Sequence, residues 1–274
     1  MKTRILNSFW IKIIAMISMT LDHIGAIILI YYATNSIGST LGELYEPFRI
    51  IGRLSFVLIA FITIDGVIHS KKPLIYLSRL LILALLLSLI PSLFMQEYVE
   101  NPITTIFFGA VTVYLLRLNK WKKIYALIPF TIAILCGIKI IPFGMDYGLY
   151  GYLLIIIFYF CYIGVIKYLE FICSYYSLDK EIFMKEETIN QYRVISSCVM
   201  LIGYNMLWYF LSPSVNGIQL IDMHLQLYST IAIIPIFLYN GKRGYNKPWF
   251  KYGCYIFYPL HILIIYIIRL IIFC

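Results

Sequence analysis

The sequence predicts an all-α fold, a polytopic integral membrane helix bundle, and three observations predict it. The 274 residues are 62% hydrophobic and 13% charged, where a soluble domain carries about 25% charged residues. The apolar residues fall into runs near twenty, the length an α-helix needs to cross a hydrocarbon core, and not the short alternating runs of barrel strands. The basic residues collect in every second connection between those runs.

Nine intervals qualify as spans: 10–32, 48–68, 74–95, 102–118, 123–142, 147–169, 192–211, 221–240 and 252–273. The first contains Ile11–Tyr32, IKIIAMISMTLDHIGAIILIYY, with Asp22 and His23 at its centre. Its leader MKTRILNSFWIK has the charge of a signal-peptide start. The run behind it is too long and lacks a cleavage site, so it reads as a retained anchor. The second span opens on FRIIGRLSF, with Arg49 and Arg53, and closes on Asp65 and His69. The fourth and eighth are short, as tilted, merged or re-entrant segments would be. Asp146 in DYGLYG is placed to cap the sixth. The longest polar stretch, Ser174–Arg193, reads as a cytoplasmic loop over about 171–191. In the last span Tyr258-Pro259-Leu260-His261 puts a kink-forming proline between a Tyr and a His three apart. No Gly- or Ser-rich linker, low-complexity tract or repeat interrupts the chain, which reads as one domain over 1–274. The lack of an inverted repeat argues against a transporter.

The net charge of +9 is a topology signal and not a nucleic-acid footprint. Lys2, Arg4 and Lys12; Lys71, Lys72 and Arg79; Arg117, Lys120, Lys122 and Lys123; Lys167, Lys180, Lys185 and Arg193; and Lys242, Arg243, Lys247 and Lys251 fall on one side, 18 of the 22 basic residues. Glu43, Glu46, Glu97, Glu100, Asp146 and Asp222 fall on the other. The positive-inside rule then makes the N-terminus cytoplasmic and, with nine spans, the C-terminus external. The basic side faces anionic membrane lipid; holding a phosphorylated cytosolic ligand is a second use. The 25 Tyr, 18 Phe and four Trp suit interfacial belts and helix packing. The six cysteines, at 136, 161, 173, 198, 254 and 274, form no CxxC pair and no zinc spacing with His, so no metal is expected.

Ionisable groups at bilayer depth are costly and mark function by default. Asp22, His23, Arg53, Asp65 and His261 are such groups. His23 lies about nine residues from the outer end of its span and His261 about twelve from the end of its own. At 1.5 Å per residue their depths agree within roughly 5 Å. Histidine suits proton transfer near neutral pH; the structural alternative is an interhelical hydrogen bond. Depth leaves lateral adjacency open. Asp22 and His23 are neighbours in sequence and so do not face each other on a helix. Asp22 is expected to pair with Arg53 or with Arg49 one turn nearer the surface. Those arginines share a face and suit a carboxylate, phosphate or developing oxyanion. The alternative has Arg49 snorkelling to the outer interface while Arg53 pairs with Asp22. Asp65 and His69 read as a partly exposed pair at a helix end. No GxSxG, P-loop, HExxH or Rossmann glycine pattern is present.

LDHIG in the first span, RIIGRLSF opening the second, DYGLYG opening the sixth and YPLHILIIY in the last resemble, in order and over essentially the whole chain, the TraX family. That family is best known for the conjugation protein that acetylates the pilin N-terminus, and it is similar to the wider group of membrane acyltransferases. The resemblance implies a multi-pass protein of the bacterial cytoplasmic membrane that transfers acetyl from cytosolic acetyl-CoA. The acceptor would be an amine or hydroxyl on a peptide, pilin or envelope glycan. It implies His23 as general base, Arg53 as oxyanion stabiliser and His261 as second acid/base or positioning group. Arg49, Asp22 and Tyr258 would line the substrate. Two other readings stand beside it: a proton-coupled transporter and a noncatalytic assembly factor.

Overall fold

The computed structural model describes residues 4–35, 40–95, 100–137, 140–141, 144–211 and 223–273. Lys2, Glu97, Asp222 and Cys274 lie outside the described residues. The described residues are mostly helical, with isolated bridges and no strand among them. Helix occupies each of the nine intervals, and five helices are long and apolar enough to cross a membrane. The chain divides into two compact units, residues 1–59 with 224–274 and residues 60–223.

The first unit is built from the two ends of the chain. It holds α1 (Ser8–Ile24), a π-helical turn (Gly25–Leu29), α2 (Ile30–Asn35), α3 (Thr40–Glu43) and the start of α4 (Tyr45–Ile68). Towards the other end of the chain it adds α11 (Met223–Leu227), a 3-10 turn (Tyr228–Ala232) and α12 (Ile233–Phe237), then α13 (Pro248–Phe273). Asn7 starts α1 as N-cap: its side-chain oxygen accepts from the Phe9 and Trp10 amides at 3.1 and 3.3 Å. The segment before α1 is tied to the one after α12, because Leu6 N–H donates to Leu238 O, Asn240 N–H to Leu6 O and Ser8 N–H to Lys242 O. Gly244, at φ +67°, lies where a side chain would overlap Asn7. The first span runs parallel to α13, with Phe9 of α1 against Phe250 at 4.7 Å near their starts and Tyr31 of α2 against Phe273 at 4.1 Å near their ends. α13 continues on both sides of Pro259.

α1 approaches α4 at small residues, as membrane helices do when packing and hydrogen bonds replace the hydrophobic effect between them. Ser18 Oγ donates to Ile51 O at 2.5 Å. A Cβ placed at Gly52 would overlap the Asp22 carboxylate, and one at Gly25 would press on Arg49 and Phe48.

The second unit holds the end of α4, α5 (Pro73–Met95), α6 (Pro102–Leu116), a 3-10 segment (Lys120–Ala126), α7 (Leu127–Gly137), α8 (Gly148–Tyr175), α9 (Lys180–Phe183) and α10 (Glu186–Leu211). α6 is the central stave, buried from Ile103 to Val113 against α5 and α8. Its polar atoms are answered inside the bundle: Asn101 caps it and donates to Ser88 Oγ at 2.7 Å, and Thr112 meets Tyr152 OH at 2.7 Å. α8 and α10 are joined by Tyr150 OH donating to Asn205 Oδ1 and Tyr204 OH donating to Tyr150 O, both at 2.7 Å.

Three expectations change. The loop expected over 171–191 is shorter, because α8 continues to Tyr175, α10 begins at Glu186 and α9 sits between them. Arg193, counted with the loop cations, is therefore a buried side chain of α10: it pairs with Asp65, its guanidinium lies 4.5 Å over the Phe61 ring and Nη2 reaches Phe61 O at 3.4 Å. The N-cap of α8 is Tyr147 and not Asp146, the turn being made by Gly148 at φ +45°.

Removing one partner of a buried ion pair leaves a charge uncompensated, at about 3–5 kcal/mol, while replacing both by apolar groups can be neutral. Arg193→Met alone is therefore expected to lower the melting temperature in detergent sharply, and Asp65→Leu with Arg193→Met to recover most of the loss. Gly52→Val is expected to cost about 1–3 kcal/mol by overpacking, read in the same melting assay; a melting temperature equal to that of the unaltered protein would refute the contact.

Candidate functional site

Asp22, His23, Arg49, Arg53, Tyr258 and His261 all lie in the first unit. Asp22 and His23, consecutive on α1, point about 100° apart, and each meets a different helix. Asp22 turns to α4. Its Oδ1 accepts from Arg49 Nη1 at 2.9 Å and from Arg53 Nη2 at 2.9 Å. Both arginines, one turn apart, share the carboxylate, where one partner was expected. Arg49 does not snorkel away: Nη1 also reaches Asp22 O at 3.4 Å, and its buried Nε has no hydrogen-bond partner among the described residues. Arg53 is buried, and its Nε donates to Arg49 O at 3.3 Å.

His23 turns to α13. Its Nδ1 lies 2.8 Å from Met19 O and 3.2 Å from His261 Nε2. His261 Nδ1 lies 2.8 Å from Phe257 O. The matched depths thus correspond to direct contact. Tyr258 packs edge-on to both imidazoles, at 5.7 Å from His261 and 6.4 Å from His23. Phe257 stacks flat on His261 at 4.8 Å and 8°. Phe257 was not foreseen, although its position four residues before His261 places it on the same face.

These contacts assign both tautomers. A carbonyl oxygen only accepts, so His261 carries its proton on Nδ1 for Phe257 O, and its Nε2 offers a lone pair. His23 likewise carries its proton on Nδ1, shared between Met19 O and His261 Nε2. The basic lone pair left over is His23 Nε2. In a Ser-His-Asp triad a carboxylate holds the base in its tautomer; here a backbone carbonyl and a second imidazole do so, while Asp22 is occupied by the arginines. The arrangement can take a proton at His23 Nε2 and share the resulting charge with His261. The two guanidinia beside it present N–H donors on an adjacent face of α1.

Asp65 and His69 form a separate group in the second unit. Asp65 is claimed by Arg193, and His69 Nδ1 stands 3.8 Å from it. Among the described residues no group of three or more His, Cys, Asp or Glu side chains is placed to hold a metal ion. Among the described residues Cys136, Cys161, Cys173, Cys198 and Cys254 form no disulfide.

Comparison with known proteins bears on the same residues. A probable fimbrial assembly protein, FimC of serogroup H1, from Dichelobacter nodosus is 39% identical over 75 residues, 27% of this chain and 27% of that protein. No solved structure matches. A family profile described as TraX protein matches residues 8–269, which takes in Asp22, His23, Arg49, Arg53, Tyr258 and His261. The chain belongs to the TraX family.

Proposed function

We propose that this protein is a membrane-embedded acyltransferase of the bacterial cytoplasmic membrane, moving an acetyl group from cytosolic acetyl-CoA to an amine or hydroxyl acceptor. The observation that carries the reading is the histidine pair, whose hydrogen bonds leave a lone pair on His23 Nε2 at membrane depth. The thioester supplies an activated carbonyl carbon. The residues suit such a donor: Lys242, Arg243 and Lys247 are exposed on the segment between α12 and α13, where phosphates can be met from water.

In this reading His23 Nε2 accepts the proton of the acceptor N–H or O–H and afterwards releases it to the departing thiolate, so the proton balance closes within one cycle. His261 Nε2 holds the base in its productive tautomer and takes part of the transient positive charge, which Phe257 O supports. Arg53 stabilises negative charge developing on the carbonyl oxygen, an effect that grows where water is excluded. Arg49 and Asp22 position Arg53, and Tyr258 lines the imidazoles. Family membership and the fimbrial relative support a pilin-related role, and a pilin N-terminus is the first acceptor to try.

A second reading, a noncatalytic assembly factor, is favoured by that relative's description as a fimbrial assembly protein. Membranes containing the protein, incubated with labelled acetyl-CoA, separate the two. Acyl transfer predicts label in an acceptor fraction and a loss of about 10²–10⁴-fold in His23→Ala, with unchanged melting temperature. Label that appears equally with His23→Ala refutes the mechanism, and no label above membranes lacking the protein favours assembly. Asp22→Asn is expected to act differently. It strips the shared counter-ion from two guanidinia, at a cost of about 3–5 kcal/mol in stability, and the residual folded fraction turns over more slowly because Arg53 is no longer held in place.

A further inference from the structure

The foot of the α1–α13 seam holds a cation that acyl transfer leaves unused. Lys12 lies one turn into α1, half-buried, and among the described residues it has no hydrogen-bond or ion-pair partner. Its electrostatic neighbours are the Cys254 thiol and two further cations, Lys251 and Arg243. Like charges gathered beside an unpaired ammonium at the edge of hydrocarbon are costly until an anion joins them.

Above Lys12 runs an open apolar groove of about 240 Å³, lined by Ile13, Met16, Ile17, Thr20, Leu21 and Phe257. Its one hydroxyl is spent, since Thr20 Oγ1 donates to Met16 O at 2.9 Å. The groove ends at the histidine pair, because Phe257, which lines it, is the ring stacked on His261. At 100° per residue Lys12 and His23 fall within about 20° of each other on α1, Met16 lies about 40° from Lys12, and the other groove residues of α1 lie about 80–180° from it. The groove therefore flanks the face that carries cation and imidazole and borders it at Met16.

We propose that this seam binds one anionic phospholipid, with its phosphate at Lys12 and Lys251 and one acyl chain lying in the groove up to the histidine pair. The charge bias places Lys12 at the cytoplasmic end, where anionic headgroups lie and basic pockets between helices bind them. The groove selects a hydrocarbon chain, since a thread carrying amides would find no polar group to answer them. The chain end closes the lower side of the imidazoles against water. This site stands whether or not acyl transfer is the activity.

Native mass spectrometry of the purified full chain, titrated with phosphatidylglycerol and with phosphatidylcholine, tests it. The expected result is preferential retention of phosphatidylglycerol, reduced about fivefold in Lys12→Gln, the equivalent of roughly 1 kcal/mol per headgroup contact, and kept in Lys12→Arg. Ile17→Trp, which fills the groove without touching charge, is expected to lower retention of both lipids. Equal retention of the two lipids, or no change in Lys12→Gln, overturns the headgroup site. Competition by glycerol phosphate as strong as by the intact lipid overturns the groove and reduces the site to a phosphate contact. Unchanged melting temperatures of the variants without lipid separate lost binding from lost fold.

Discussion

One carboxylate oxygen, Asp22 Oδ1, accepts from two guanidinia in the middle of a hydrophobic helix. In hydrocarbon neither the acid nor the bases can be left alone, so the contact dictates how α1 and α4 meet. It needs the helices close, and Gly52, Gly25 and Ser18 allow that approach. It also fixes the rotation of α1. With Asp22 held on α4, the next residue can only look elsewhere, and His23 is delivered to α13 and His261. The rest of the candidate site follows from that rotation.

The second unit solves a similar problem with different means. Arg193 answers Asp65 and reaches a backbone carbonyl and the face of Phe61, while its buried Nε has no hydrogen-bond partner among the described residues. An aromatic face is a good partner for a desolvated guanidinium; in the Asp22 cluster a second guanidinium takes that place, and Arg49 Nε is likewise without a hydrogen-bond partner among the described residues.

Much of this was legible because a bilayer constrains sequence strongly. Its thickness sets the length of the apolar runs, so helix fell in every interval read from them. The cost of buried charge singled out Asp22, His23, Arg53, Asp65 and His261. The one-residue offset between Asp22 and His23 already separated their roles. What could not be read was lateral: depth put His23 and His261 at one level, and only the packing of the first helix against the last joined them. Arg193 was misplaced because a cation at the margin of an apolar run counts with the loop by composition, while α10 starts about two turns before it, at Glu186. The π-helical turn after His23 left no signal, since GAIIL is equally good α-helix. Asp146 was the right residue type one position too early, displaced by a glycine in the left-handed region.

The histidine contact joins residues 238 positions apart, whereas Asp22 finds its arginines within 31. At a synthesis rate of about 5–20 residues per second, some 10–50 s pass between the emergence of the two imidazoles. The ionised trio can therefore assemble while only two helices exist, as an early hairpin that inserts already neutralised in part. His23, uncharged and tolerable in lipid, waits for the end of the chain. His23 Nδ1 finds Met19 O within α1 itself but meets His261 only when the final helix arrives, so a nascent or truncated chain would carry the arginine cluster without the imidazole pair.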